Sequence, residues 1–122
     1  MAYNDMQAGQ AVTTHHVVYM DGLLIRPAIA NAPATMPALG IVEATMQSGG
    51  RGDVLIRGLL SNGALSGFLA SGQPVYVSPL SAGLVTASSP TASGTVVQRL
   101  GMARTNTSLE LNVEDNFIIV SA

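Results

Sequence analysis

The chain has 122 residues, a formal net charge of −2, and only 10% charged residues, against ~25% in an average soluble domain. Its five cations are all arginine and lie scattered, so the clustered basic footprint that a phosphate backbone demands is missing and no nucleic-acid partner is expected. There is no cysteine for a disulfide framework or a thiolate metal site, and no run of eighteen apolar residues, so no membrane partner is expected either.

The first residues, Met1 to Thr14, are small and polar and have no periodicity. They read as an extended arm, residues 1–16, that orders only against a partner. Met1 to Gln10 carries neither a basic n-region nor an apolar h-region, so no classical secretion signal is expected. Residues 17–122 then read as a single β domain. Val17 to Met20 and Leu23 to Arg26 flank Asp21-Gly22, and an Asp-Gly pair between apolar runs is a strong hairpin signal. Pro27 to Pro37, with three prolines, reads as an irregular connector.

Leu39 to Met46 resumes a strand pattern, and Gln47 to Asp53, with three glycines, reads as a mobile loop. Val54 to Leu60 is apolar on both faces except at Arg57, which implies burial on both sides or an interface. From Gly58 to Gln98 the chain runs forty-one residues without Asp, Glu, Lys, Arg or His, cut by six glycines and three prolines. Within it, Ser61 to Gly72 is a turn-rich link, Pro74 to Ser78 a short strand, and Leu84 to Ala87 its hairpin partner. Thr95 to Ala103 forms another strand. Leu109, Leu111 and Val113 alternate with Glu110, Asn112 and Glu114, giving one wet and one buried face, and Phe117 to Val120 is apolar on both. About seven short strands separated by frequent turns predict an all-β fold, a small sandwich or barrel. Gly40-Ile41-Val42 faintly echoes Gly101-Met102-Ala103, each followed by a turn and a strand, an echo too weak to predict a repeat architecture.

Candidate chemistry is sparse. His15-His16 is the only histidine pair, and neighbours on a strand point to opposite faces, so a shared metal is not expected. Gly63-Ala64-Leu65-Ser66-Gly67 lacks the spacing of a nucleophile elbow, and a phosphate-cradling Walker loop needs a lysine that this chain does not have. Glu114-Asp115 reads as a solvated turn, Asn106-Thr107-Ser108 as a polar turn. Arg51-Gly52-Asp53 spells a tripeptide that some cell-surface receptors bind when a loop displays it. No enzymatic activity and no cofactor are expected.

Ser71-Gly72-Gln73-Pro74-Val75-Tyr76-Val77-Ser78, then Gly83-Leu84-Val85-Thr86, and after a Ser/Pro loop Val96-Val97-Gln98-Arg99-Leu100-Gly101-Met102-Ala103, carry a further pattern. It resembles the small capsid decoration, or cement, proteins of tailed bacteriophages, over roughly Ala38 to Val120. The resemblance implies a β-rich fold without catalytic residues, and trimers or other oligomers seated on the outer capsid of the virion. Such proteins stabilise the shell against internal DNA pressure. The expected partners are therefore a major capsid protein and further copies of the chain. The arm, through Tyr3, Asn4, Met6, Val12 and His15, is the expected capsid contact, and Phe117, Ile118, Ile119 and Val120 the contact between copies. A head or tail fibre component, or a receptor-binding knob that adheres to the host surface, is the alternative reading.

Overall fold

The structure is a computed structural model that describes residues 2–31, 35–61, 65, 69–113 and 118–120. The all-β fold expected from the sequence is the one that forms, with more and shorter strands than the pattern predicts. The first five are β1 (Ala2–Ala8), β2 (Val17–Asp21), β3 (Leu24–Pro27), β4 (Ala38–Val42) and β5 (Arg51–Leu55). They close into a barrel in the order β1-β3-β2-β4-β5, sealed by β1, which runs parallel to β3 and antiparallel to β5. The chain leaves the barrel at Ile56. Strands β6 (Arg57–Ser61), β7 (Pro74–Val77), β8 (Val85–Thr86), β10 (Arg99–Ala103) and β11 (Ser108–Asn112) then build a sheet in the order β6-β11-β10-β7-β8. A two-stranded ribbon joins β9 (Val96–Val97) to β12 (Ile118–Ile119).

Two apolar clusters hold these layers. The smaller fills the barrel with Ala8, Val12, Val18, Ile25, Val42, Met46 and Val54. The larger lies between the sheet and the outside of the β2–β4 wall: Val17, Ala38 and Ile41 from the wall meet Val75, Val85, Leu100, Leu109 and Leu111. Strands β2 and β4 are therefore covered on both faces, because successive side chains point to opposite sides and both sets are apolar. At the edge of this joint sits Gln98, 1% exposed. Its side-chain amide donates to the Ala38 carbonyl at 3.1 Å and accepts from the Ala38 N–H at 2.6 Å, as a neighbouring strand would.

The barrel and the sheet are the same module twice. Val18↔Gly40 and Tyr19↔Ala38 in the first are answered by Val75↔Gly101 and Tyr76↔Arg99 in the second. In each, one extra residue, Leu39 or Leu100, makes a bulge just before the glycine. Ile41↔Leu55 and Val42↔Val54 correspond to Met102↔Glu110 and Ala103↔Leu109. Ala2↔Leu55 and Tyr3↔Val54 correspond to Leu59↔Glu110 and Leu60↔Leu109, so β6 is the counterpart of β1. The glycines are needed sterically: a Cβ would lie 2.3 Å from the Leu55 carbonyl oxygen at Gly40 and 2.1 Å from that of Glu110 at Gly101. The echo of Gly40-Ile41-Val42 in Gly101-Met102-Ala103 is thus a matched strand position.

Several expectations are corrected. Residues 1–16 are not an extended arm: β1 closes the barrel, Ala8 and Val12 are buried in it, and Val12 bridges to Met46. The boundary at residue 16 falls inside one folded unit. The hairpin loop is Gly22-Leu23, not Asp21-Gly22, since Asp21 pairs with Leu24; Gly22 takes φ 65°, as the first position of a II′ loop requires. Arg51-Gly52-Asp53 lies in β5 and not on a loop. The run Val54 to Leu60 breaks at Ile56, and Leu59 is 65% exposed, not buried on both sides. Gly63-Ala64-Leu65-Ser66-Gly67, apart from Leu65, and Glu114-Asp115 with Phe117 lie outside the described residues.

Two outcomes follow from this architecture. Deleting residues 1–14 removes the sealing strand and a core valine, so the truncated chain should lose its cooperative thermal transition, read by circular dichroism. Replacing Gln98 with Ala leaves a buried N–H and a buried carbonyl at Ala38 without that partner, at about 1–3 kcal/mol each. Urea denaturation should accordingly register a loss of ~2–6 kcal/mol.

Candidate interaction surfaces

The residues expected to form a capsid-binding arm are not gathered on one exposed surface. Tyr3 is 48% exposed at the mouth of the barrel. The backbone of Asn4 lies within β1, Met6 packs against the barrel interior, and Val12 is 2% exposed. Met6 and Val12 are thus turned into the barrel, while Tyr3 remains partly exposed. His15 sits apart from them, at the joint between barrel and sheet. Of the expected contact between copies, Ile118 and Ile119 are 68% and 49% exposed on β12, while Val120 is half-buried and bonds by its backbone to Gly94 and Thr95.

The barrel mouth opens into a cleft of about 230 Å³ lined by Tyr3, Met20, Pro37, Leu39, Ile56 and Val113, with Gln98 as a polar wall. A second, shallower cleft of about 740 Å³ runs over the outer face of the sheet, between Arg57, Leu59, Arg104 and Glu110. Arg104 pairs with Glu110 there, and Met102 lies exposed beside them. This face repeats the β2–β4 wall of the first module, yet its residues differ in character. Ala38 becomes Arg99 and Leu55 becomes Glu110, so the copy that is covered is apolar and the copy that meets water is charged.

The most exposed large apolar side chains among the described residues are Leu23 and Leu80, at 89% and 88%. Each stands four residues beyond the matched tyrosine, Tyr19 or Tyr76, at the end of the β2–β3 or the β7–β8 hairpin. Sequence reading placed Leu23 in the apolar run Leu23 to Arg26 and left Leu80 in a turn, so neither stood out as an exposed apolar side chain. The signal that could have found them is the repeated Val-Tyr pair, Val18-Tyr19 and Val75-Tyr76, which sets the two hairpins in register.

Arg51-Gly52-Asp53 is engaged in the barrel wall. The Arg51 guanidinium donates to the Asp5 carbonyl, and the Asp53 carboxylate accepts from the Asp5 N–H. Gly52 faces Met46, whose Cε would lie 2.6 Å from an added Cβ. Such a strand does not present the tripeptide as a loop would. Among the described residues, no group of three or more His, Cys, Asp and Glu could hold a metal ion, and no helix is long and apolar enough to cross a membrane. Comparison with known protein families and with characterised proteins gave no match to this chain.

The histidine pair occupies the joint itself. His15 has φ 64°, which turns the chain out of a regular strand, and its Nδ1 is buried without a hydrogen-bond partner. His16 packs on Gly83, where an added Cβ would meet its Nδ1 at 2.6 Å. Burial, and secondarily the neighbouring His15, lowers the His16 pKa below its ordinary 6.5. The neutral form is thus the one the fold accepts, and the unfolded chain binds the proton more readily. Stability from this site is complete above pH 6.5 and declines as pH falls through 6.5 toward the lower value in the folded state. Melting temperatures measured from pH 7.5 to 5.5 should therefore fall with acidification, and His16→Gln should flatten that slope.

Proposed function

We propose that the chain is a structural virion protein that binds the outer surface of a phage capsid, stabilises the assembled shell by clamping neighbouring capsid subunits, and acts as an oligomer, a trimer in the first instance. One observation carries this reading. The residues that resemble capsid decoration proteins, 71–78 and 83–86, fold into the β7–β8 hairpin, and that hairpin ends in Leu80, 88% exposed. A leucine held out in water by a rigid hairpin costs free energy until something covers it, at about 1.5–3 kcal/mol for full burial.

The mechanism is mass action. A ligand that binds only the assembled lattice stabilises it in proportion to RT ln(1 + [L]/Kd), and many copies on one shell multiply a modest affinity. A chain 10% charged and without lysine suits this role, since interfaces are depleted of lysine and of charge at their centres. The barrel strand β1 is not the reaching element; the exposed hairpin ends take its place. Ile118 and Ile119, exposed on β12, are the proposed contact between copies, where a second chain would cover them.

Purified chain mixed with heads of the encoding phage that lack it should cosediment with them in many copies and raise the temperature at which the shell ruptures. Alone, it should sediment as an oligomer that Ile118→Asp with Ile119→Asp reduces to monomer. A wild-type chain that stays monomeric and remains in the supernatant would refute the proposal.

A further inference from the structure

Between the last strand of the barrel and the first of the sheet stands a single residue, Ile56, and the chain bends there. In an extended strand Leu55 and Gly58 would be about 10 Å apart and face opposite sides. Instead the two Leu55 methyls lie 3.7 and 3.9 Å from where a Cβ on Gly58 would stand. Gly58 itself takes φ 144°, a region that glycine enters freely and other residues only under strain. Yet the sequence of the bend, Val54-Leu55-Ile56-Arg57-Gly58-Leu59-Leu60, is rich in β-branched and large apolar residues and reads as one continuous strand. Straightened, β5, Ile56 and β6 would make a single strand from Arg51 to Ser61, roughly 35 Å long.

The rest of the joint between the modules is non-covalent. Gln98 clasps Ala38, the Val17 N–H donates to the Gly83 carbonyl at 2.8 Å, the Gly83 N–H to the Ala28 carbonyl at 2.7 Å, and the Ala30 N–H to the Ser78 carbonyl at 2.9 Å. Beside these bonds, Val17, Ala38 and Ile41 belong to the same apolar cluster as Val75, Leu100 and Leu111. The two sides of this seam are different surfaces: the outside of the barrel wall and the inside of the sheet. Every copy of the chain carries both. The barrel of a second copy therefore accepts the sheet of the first through the same contacts, with nothing lost across the seam. The barrel strands β1 to β5 close on one another without β6, so the exchange leaves their pairing intact.

We infer that Ile56 to Gly58 is a hinge across which the sheet module of one copy docks on the barrel of another copy of this chain, with Gly58 setting the balance between this exchanged form and the folded-back one. The inference is independent of the capsid reading. In a lone chain the one-residue link holds the modules at high effective concentration, which favours the folded-back form in dilute solution. Crowded copies overcome that advantage, because the seam they form is the same. Since the seam joins unlike surfaces, exchange passes from copy to copy until a ring closes. Alanine at position 58 fits the space beside Leu55 but is strained at φ 144°, whereas a straight strand accepts it without strain. It therefore tilts the balance toward exchange.

The test uses the full chain and a crosslink that only exchange can place between two chains. Thr13, on the barrel side, and Leu84, on the sheet side, line one cavity of about 280 Å³ at the seam, and the chain has no cysteine of its own. Chains carrying Thr13→Cys and chains carrying Leu84→Cys are unfolded together, refolded across a range of concentrations, and treated with a short bismaleimide. Covalent dimers should appear and increase with concentration. Gly58→Ala in both chains should raise the exchanged fraction about tenfold or more at equal concentration, read also by light scattering on a sizing column. No covalent dimer at any concentration, while a chain bearing both cysteines crosslinks to itself, would overturn the hinge. A folded Gly58→Ala chain with the wild-type fraction of dimer would overturn the role given to Gly58. Should that variant fail to fold, the mixture with Gly58 intact decides alone.

Discussion

The joint between the two modules is an apolar seam whose edge is closed by one side chain behaving as backbone. Gln98 offers an N–H and a carbonyl to the carbonyl and N–H of Ala38, and it does so while buried. Each such bond contributes only ~1 kcal/mol net, but the groups it satisfies would cost more if left unpaired in an apolar setting. The position is telling. Ala38 corresponds to Arg99 in the second module, so the clasp comes from the residue just before the equivalent one. Gln98 lies at the break between β9 and β10.

Duplication also explains how one sheet geometry serves two environments. The β2–β4 wall and the β7–β10 wall share pairings, bulge and glycine, and each carries a tyrosine at the matched place. Val17, Ala38, Ile41 and Leu55 on the covered wall give way to Pro74, Arg99, Met102 and Glu110 on the open one. Backbone constraints are thus identical while side-chain polarity follows exposure. The charged positions also remove the continuous apolar face that would invite a further module to stack, as terminal units of repeat proteins do.

Much of the second module was legible in the sequence, because Leu109 to Val113 and Pro74 to Ser78 alternate cleanly and glycine or proline punctuates the rest. The β2–β3 hairpin was legible for the same reason, although its loop sits one residue later. The first strand was not. Ala2 to Ala8 has no apolar alternation, and what holds it is pairing on both edges, with β3 and with β5, which lie far away in the chain. Arg51-Gly52-Asp53 was misread as a loop because its glycine suggested a turn, whereas that glycine makes room for Met46. Of the candidate surfaces, the tail residues Ile118 and Ile119 were visible as an apolar run. The two leucines were hidden, since their significance lies in a correspondence between distant segments.

The wall shared by both cores has a further consequence for biosynthesis. As the polypeptide emerges, the barrel can close once β5 is available, but the outward side of β2 and β4 then stands bare, with Val17, Tyr19, Ala38 and Ile41 facing solvent until the sheet of β6 to β11 has been made. Neither half is therefore a self-sufficient fragment, and splitting the gene between them would yield a sticky remnant in place of a smaller working protein.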